Sequence, residues 1–282
     1  EKRYTGSDGK TPVTKEYYNR LTANRNMGGI DEVNEVEYGI ITAETALRDF
    51  PGAEPSYDEE GNLEFDLFFE NRMKVWERCL ILHTSADGKW YFIQCMSFRG
   101  WINAEHAAKC DRQTWQKYKN MDFVVVTGNR VLLDEELYDA EISRKEMLMG
   151  TRIPLLKGIE EVNNVSTVSS YTVLLPVRGD DGNLIEKTGR IPKNADVTEG
   201  YLPMTRENMI RQSFKMLGER YGWGGSHYAR DCSAFIRDIY FCFGVEIPKN
   251  SAGQGAMPAN KKFNVASMDV SQKEKLIKSQ HP

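Results

Sequence analysis

The sequence predicts an α+β chain of several domains, and three observations carry that prediction. Two β-rich stretches each turn on a loop containing Asp-Gly, at Asp87-Gly88 and at Asp181-Gly182. Several short strands crowd into about seventy residues around the first loop, the pattern of a small barrel. After Met204 the apolar residues change from strand-like runs to helical spacing. At 282 residues the chain exceeds one average domain, so two or three are expected. Hydrophobic residues at 40% and charged residues at 28% are ordinary for a globular protein and leave ample material for cores. A net charge of −4 without a concentrated basic stripe argues against non-specific nucleic-acid binding. No apolar run reaches the roughly 18 residues of a membrane span. The opening EKRYTGSDGK is not a signal peptide, so any export signal is expected to lie outside this sequence.

Residues 1–35 are polar with short apolar spots, including Val13 to Tyr18 as a short helix, and read as an arm packing on the other domains. Residues 36–115 hold the first barrel. Its strands are Tyr38–Thr42, Val75–Leu82, Trp90–Cys95 and Gly100–Ile102, with a long polar loop from Pro51 to Glu64. Residues 116–203 repeat the grammar with Phe123–Val126, Ser170–Val177 and the turn Gly179–Gly182. Thr188-Gly189-Arg190-Ile191-Pro192 echoes Arg99-Gly100-Trp101-Ile102-Asn103 about 90 residues earlier, a domain-sized offset. From residue 204 onward Thr205 is an N-cap, and Met209, Ile210, Phe214 and Leu217 form an apolar stripe expected in the core, with Gly218 as its stop. Pro248 is another stop, followed by the Gly/Ala/Pro-rich SAGQGAMPAN and a polar helix from Met268 to Ser279.

The chemistry concentrates between Tyr221 and Gly244. A glycine-rich loop runs into a helix that begins at Cys232, with Phe235, Ile236, Ile239, Tyr240 and Phe243 at helical spacing and Gly244 as its left-handed stop. Asp231 or Ser233 supplies a capping oxygen. A thiol at a helix N-terminus meets unpaired N–H groups and the positive end of the dipole, both of which favour thiolate. Trp223-Gly224-Gly225 can turn tightly and let backbone approach a ligand. The other four cysteines, Cys79, Cys95, Cys110 and Cys242, show neither CxxC nor zinc spacing. Cys79 and Cys95 lie on the two arms of the first hairpin, and either a disulfide or packed reduced thiols fit them.

Tyr221-x-Trp223-Gly224-Gly225 followed by Asp231-Cys232-Ser233-x-Phe235-Ile236 resembles the active-site signature of the NlpC-type cell-wall cysteine peptidases, of the γ-D-glutamyl-L-diamino acid endopeptidase type. SADGKWYFIQCMSFRGWINAEHA resembles the bacterial SH3-like domains that precede such peptidases, and the second β-region resembles a diverged copy. The resemblance implies two SH3-like barrels followed by a papain-like α+β peptidase domain over 204–282. It implies that Cys232 attacks the peptide carbonyl and that Tyr221 lines the site at the oxyanion, beside Trp223. It further implies that Asp231 and Ser233 hold the free amine of a short murein peptide of L-Ala-γ-D-Glu-diamino acid type. No metal or organic cofactor is implied, a monomer is expected, and the cell envelope is the expected location. A first-barrel loop should wall off the site, and residues 51–64 are where it is sought.

A thiol nucleophile needs a base, usually histidine. His83 and His106 sit in the first barrel, and His227 lies in the site loop, where the reading favours a solvent-facing residue. His281 is penultimate and follows a helical pattern, whereas the family's histidine sits on a strand. The expectation is therefore that the chain stops inside its catalytic domain. A catalytically inactive wall-peptide-binding protein and an acyltransferase or amidase on the same fold are the alternatives.

Overall fold

The computed structural model describes residues 4–58, 60–258 and 262–280. Its described residues form two main antiparallel sheets, of seven and five strands, and two two-stranded ones, followed by a helical segment that packs against both main sheets. The first sheet comprises β1 (Glu37–Ile41), β2 (Thr45–Arg48), β3 (Phe69–Met73), β4 (Arg78–Thr84), β5 (Trp90–Gln94), β6 (Arg99–Asn103) and β7 (Ala107–Cys110). Its order is β3-β2-β6-β5-β4-β1-β7. Alternation in β4 and β5 turns Cys79, Ile81, Tyr91 and Ile93 inward, where they meet Ile41, Leu47, Met73 and Ile102 in one core. The expected turn is present: Gly88 N–H donates to the Ser85 carbonyl at 3.0 Å, and Gly88 takes the φ of +71° that glycine adopts freely.

Two expectations for this region change. The strand expected from Val75 begins at Arg78, because Lys74–Glu77 is a turn closed by Glu77 N–H to the Lys74 carbonyl at 3.1 Å. Val75 and Trp76 instead reach the core of the second sheet, where Trp76 Nε1 donates to the Leu174 carbonyl at 3.0 Å. The sheet is also no closed barrel, since its terminal strands β3 and β7 are not paired with each other. The β3 side is covered by the helical segment: Asn71 Nδ2 donates to the Lys249 carbonyl and Arg72 to that of Gly225. An exposed strand edge invites foreign pairing, so such cover stands in for closure.

The second region comprises β8 (Phe123–Val126), β9 (Arg130–Leu132), β10 (Glu146–Leu148), β11 (Arg152–Leu156), β12 (Glu161–Val162), β13 (Val165–Ser166), β14 (Ser170–Arg178), β15 (Leu184–Pro192) and β16 (Val197–Glu199). Five of these form a sheet in the order β15-β14-β11-β8-β16. The sequence echo falls on different strands: Gly100 lies on β6, after the β4–β5 hairpin, whereas Gly189 lies on β15, inside the β14–β15 hairpin.

The helices are α1 (Lys15–Asn24), α2 (Arg112–Lys117), α3 (Arg206–Phe214), α4 (Cys232–Phe241), α5 (Ser251–Ala256) and α6 (Val270–Ser279). In the N-terminal segment, Tyr17 Oη donates to the Pro55 carbonyl at 3.1 Å and Asn24 Nδ2 to that of Pro51 at 2.8 Å. Thr205 caps α3, accepting from Asn208 N–H at 3.2 Å, and Asp269 closes a capping box on α6. The α3 stripe is only partly core. Met209 packs with Met216 and Ile239 against Val125 of β8, but Ile210, Phe214 and Leu217 stay exposed, because α3 turns a narrower face to the sheet than its apolar pattern spans.

What fixes α4 on both sheets is a buried carboxylate. Asp238 lies 2.5 Å from Lys74 Nζ at the end of β3 and 2.7 Å from Arg230 Nε. Arg230 in turn donates to Asn129 Oδ1 at 2.6 Å and Glu219 Oε2 at 2.7 Å. Burial pushes the Asp238 carboxyl up, but Lys74, Arg237 and Arg230 outweigh it and hold the group well below the usual carboxylate range. A folded-state pKa below the unfolded one gives stability that is complete above the unfolded value of about 4 and is lost as pH falls below it. Replacing Asp238 by Asn should therefore lower unfolding free energy in urea by about 3–5 kcal/mol at neutral pH, because three cations lose their buried counter-charge. The loss of stability on acidification below about pH 4 should be shallower in the variant than in the parent.

Candidate active site

The site is built on the first turn of α4. Asp231 is extended (φ −86°, ψ −177°), and its Oδ1 accepts from Ala234 N–H at 2.7 Å, the bond that starts the helix. Ser233 is buried; its hydroxyl lies 2.8 Å from Asp231 Oδ1 and 3.2 Å from the Lys249 carbonyl, so it steadies the cap. Cys232, first residue of the helix, projects to solvent. The Tyr221 phenol lies against it. Burial raises the Tyr221 pKa, and the nearby charges of Cys232 and Asp231 and a side-chain hydrogen bond with Cys232 raise it further. Tyr221 is held in place by a parallel bridge to Arg230, with Gly222 N–H donating to the Arg230 carbonyl at 3.0 Å.

All five cysteines are free, and burial separates them. It pushes Cys79 far up, raises Cys95, and pushes Cys110 and Cys242 up to about 11, so these four stay protonated at neutral pH. Cys242 packs under β8, its Sγ 3.7 Å from the Val126 carbonyl. Cys232 is the exposed member of the set.

The Trp223-Gly224-Gly225 stretch turns tightly, with Gly224 and Gly225 both at positive φ. What comes close to its backbone is the first sheet. Gly224 (φ +60°) has no room for a Cβ, which would stand 2.3 Å from the Phe69 carbonyl oxygen of β3, and one on Gly225 would meet Arg72 Cβ at 2.9 Å. Arg72 donates to the Gly225 carbonyl through Nε (2.9 Å) and Nη2 (2.6 Å) and stacks on the Tyr228 ring at 4.5 Å. Trp223 packs edge-on against Phe65, with ring centroids 5.4 Å apart, and Arg220 reaches Glu64 at 3.3 Å. The end of the long polar loop therefore stands beside the site.

No histidine ring among the described residues hydrogen-bonds Cys232. His83 Nε2 lies 3.1 Å from the Arg25 carbonyl and 3.0 Å from that of Asn26, tying the N-terminal arm to β4. His106 is half-buried, and burial lowers its pKa. His227 is exposed at φ 56°, with no hydrogen-bond partner for its ring among the described residues. His281 lies outside the described residues. Sequence reasoning missed Asn71, Arg72 and Lys74, which carry the turn and α4. The available signal was the Arg237-Asp238 pair inside an otherwise apolar helix, since buried charges call for partners.

Comparison with known proteins bears out the resemblance. Residues 218–279 match the NlpC/P60 family, and residues 54–103 match the SH3 domain of SH3b1 type. A Bacillus cereus γ-D-glutamyl-L-lysine dipeptidyl-peptidase is 28% identical over 168 residues, covering 56% of this chain and 43% of its own length. The structure of an NlpC/P60 endopeptidase from Photobacterium damselae subsp. piscicida superposes with a TM-score of 0.75 at 23% identity, over 90% of this chain and 54% of that one. An NlpC/P60 family protein from Bacillus cereus gives a TM-score of 0.58 at 19% identity, over 80% of this chain and 78% of that one. The chain thus spans about half the length of the first two relatives. The chain is thus similar to an SH3b domain over 54–103 and to an NlpC/P60 domain over 218–279, within an α+β fold.

The burial pattern predicts selective alkylation. Iodoacetamide under native conditions should add one carbamidomethyl group, mapped by mass spectrometry to Cys232, and Cys232→Ala should take up none until denatured.

Proposed function

We propose that the protein is a cell-envelope cysteine peptidase that hydrolyses the γ-D-glutamyl–diamino acid bond of short murein peptides. The observation that carries this reading is the single exposed thiol, at a helix N-terminus and against a tyrosine phenol, inside a segment matching the NlpC/P60 family. The dipeptidyl-peptidase relative supports the choice of bond. The helix N-terminus presents partial positive charge to the Cys232 sulfur. That sulfur attacks the γ-glutamyl carbonyl carbon, the developing oxyanion is met by Tyr221 Oη, and the C–N bond breaks as the amine takes the proton removed from the thiol. Water then cleaves the thioester, releasing the γ-glutamyl carboxylate and restoring the thiol.

Asp231 has one oxygen committed to the cap and Ser233, and its charge is near enough to the Tyr221 phenol to raise that group's pKa. We assign it to the substrate's free amine, with Ser233 positioning it and Trp223 forming a wall. The base is a histidine other than His83, His106 and His227. Domain limits follow the sequence reading: an arm over 1–35, SH3-like units over 36–115 and 116–203, and the peptidase segment from 204. In this reading the first of these units restricts the site to short peptides through the Glu64–Phe65 end of its loop.

The test is release of the diamino acid from L-Ala-γ-D-Glu-diaminopimelate by the full-length protein. Cys232→Ala should lower turnover by roughly three orders of magnitude or more, whereas His227→Ala should stay within about twofold of the parent. Equal turnover by Cys232→Ala would refute the assignment. Peptide retention without turnover by the parent would instead indicate a wall-peptide-binding protein, and product formation only with an added amine would indicate an acyltransferase.

A further inference from the structure

At the other end of α4 from the thiol, about 14 Å along the helix axis at 1.5 Å per residue, lies a cavity of about 360 Å³. Its size is within the range of roughly 300–1,000 Å³ typical of small-molecule sites. It opens between the two sheets and the helical segment, and none of the residues assigned to the peptidase site lines it.

Its walls are aromatic and rigid. Trp76 and Tyr118 stand with ring centroids 4.4 Å apart, and Trp76 is held at its far edge by the Leu174 carbonyl. Trp76 also adopts φ 69°, a left-handed conformation that a bulky residue keeps only where its surroundings enforce it. Trp115 extends the wall, with Arg78 over its face at 4.5 Å from the ring centre.

The charges in this wall do not balance. Lys74 and Lys249 are matched by Asp238 and Glu77. Arg78, Lys119 and Arg152 have no carboxylate within ion-pair distance among the described residues, and Arg152 donates instead to the carbonyls of Lys119 and Met121. The carboxylate without an ion-pair partner on the rim is Glu246, so cations are in excess. Thr151, 2% exposed, lines the same cavity, and its hydroxyl has no hydrogen-bond partner among the described residues. A buried, unused donor beside surplus cations and an aromatic wall is what a bound anionic group with an apolar body would satisfy.

We propose that this cavity is a second binding site, separate from the thiol, for a small anionic amphiphile: its apolar body against Trp76 and Trp115, its anion taken by Arg78, Arg152 and the Thr151 hydroxyl. The site stands independently of the peptidase reading.

The experiment uses two dyes with the same aromatic body, anionic 8-anilinonaphthalene-1-sulfonate and neutral N-phenyl-1-naphthylamine, in fluorescence titrations of the full chain. The anionic dye should saturate one site and bind at least tenfold more tightly than the neutral one. Arg78→Glu should weaken the anionic dye at least tenfold and leave the neutral one unchanged. Thr151→Val, nearly isosteric and so the safer variant for folding, should weaken it at least threefold with an unaltered melting temperature. Cys232→Ala should bind the dye as the parent does. Equal affinity for the two dyes overturns the proposal, as does an unchanged affinity in Thr151→Val. Abolition of dye binding by Phe214→Ser and Leu217→Ser, exposed at the end of α3 and in the turn after it, overturns it too, because the dye would then report that face.

Discussion

The architecture depends on one buried anion. Asp238 takes its counter-charges from three places: Lys74 at the end of the first sheet's β3, Arg230 in the loop before the thiol, and Arg237 on its own helix. Lys74 also donates to the Met149 carbonyl of the second region, and Arg230 to Asn129 there. One carboxylate therefore sets the position of α4 against both sheets. Burying so much charge is costly in itself, and the observed placement of α4 brings all three cations to one carboxylate. Burial and the two guanidiniums leave Lys74 at about 8 despite the attraction of Asp238, which shows how closely the opposing effects balance.

The same contacts tie the first sheet to the segment that carries the thiol, so that it is no module hung beside it. Asn71 bonds the Lys249 carbonyl through Nδ2 and accepts from Arg237 through Oδ1 at 2.8 Å, while Arg72 grips the Gly225 carbonyl. Lys249 offers its carbonyl to Ser233 as well, which in turn braces the Asp231 cap. A short chain of hydrogen bonds thus runs from β3 to the first turn of α4, where the thiol sits. Gly224 and Gly225 are glycines because strand β3 occupies the space a side chain would need. The geometry around Cys232 is accordingly a property of the interface, and the helix cap alone does not account for it.

The two ends of α4 offer different environments. The N-terminal end carries an exposed sulfur and a phenol under partial positive charge from the helix. The C-terminal end faces an aromatic cavity in which side-chain cations exceed anions. Between them the helix buries Ala234, Ile239 and its charged pair, which hold it rigid enough to serve both.

The helix-start thiol, its cap and the family resemblance were legible in the sequence, because they rest on local rules: an Asp-Cys-Ser run at a helix start, a glycine loop before it, and Gly244 after it. Most strand and turn positions were legible for the same reason, since period-two alternation and Asp-Gly turns involve neighbours in the chain. Position in space was not. That Val75 and Trp76 leave the first sheet for the core of the second, that β3 covers the glycine turn, and that Ile210, Phe214 and Leu217 remain exposed all depend on partners far away in sequence. The burial that keeps Cys79, Cys95, Cys110 and Cys242 protonated likewise comes only with packing, because a cysteine's neighbours in sequence do not determine how much water reaches its sulfur.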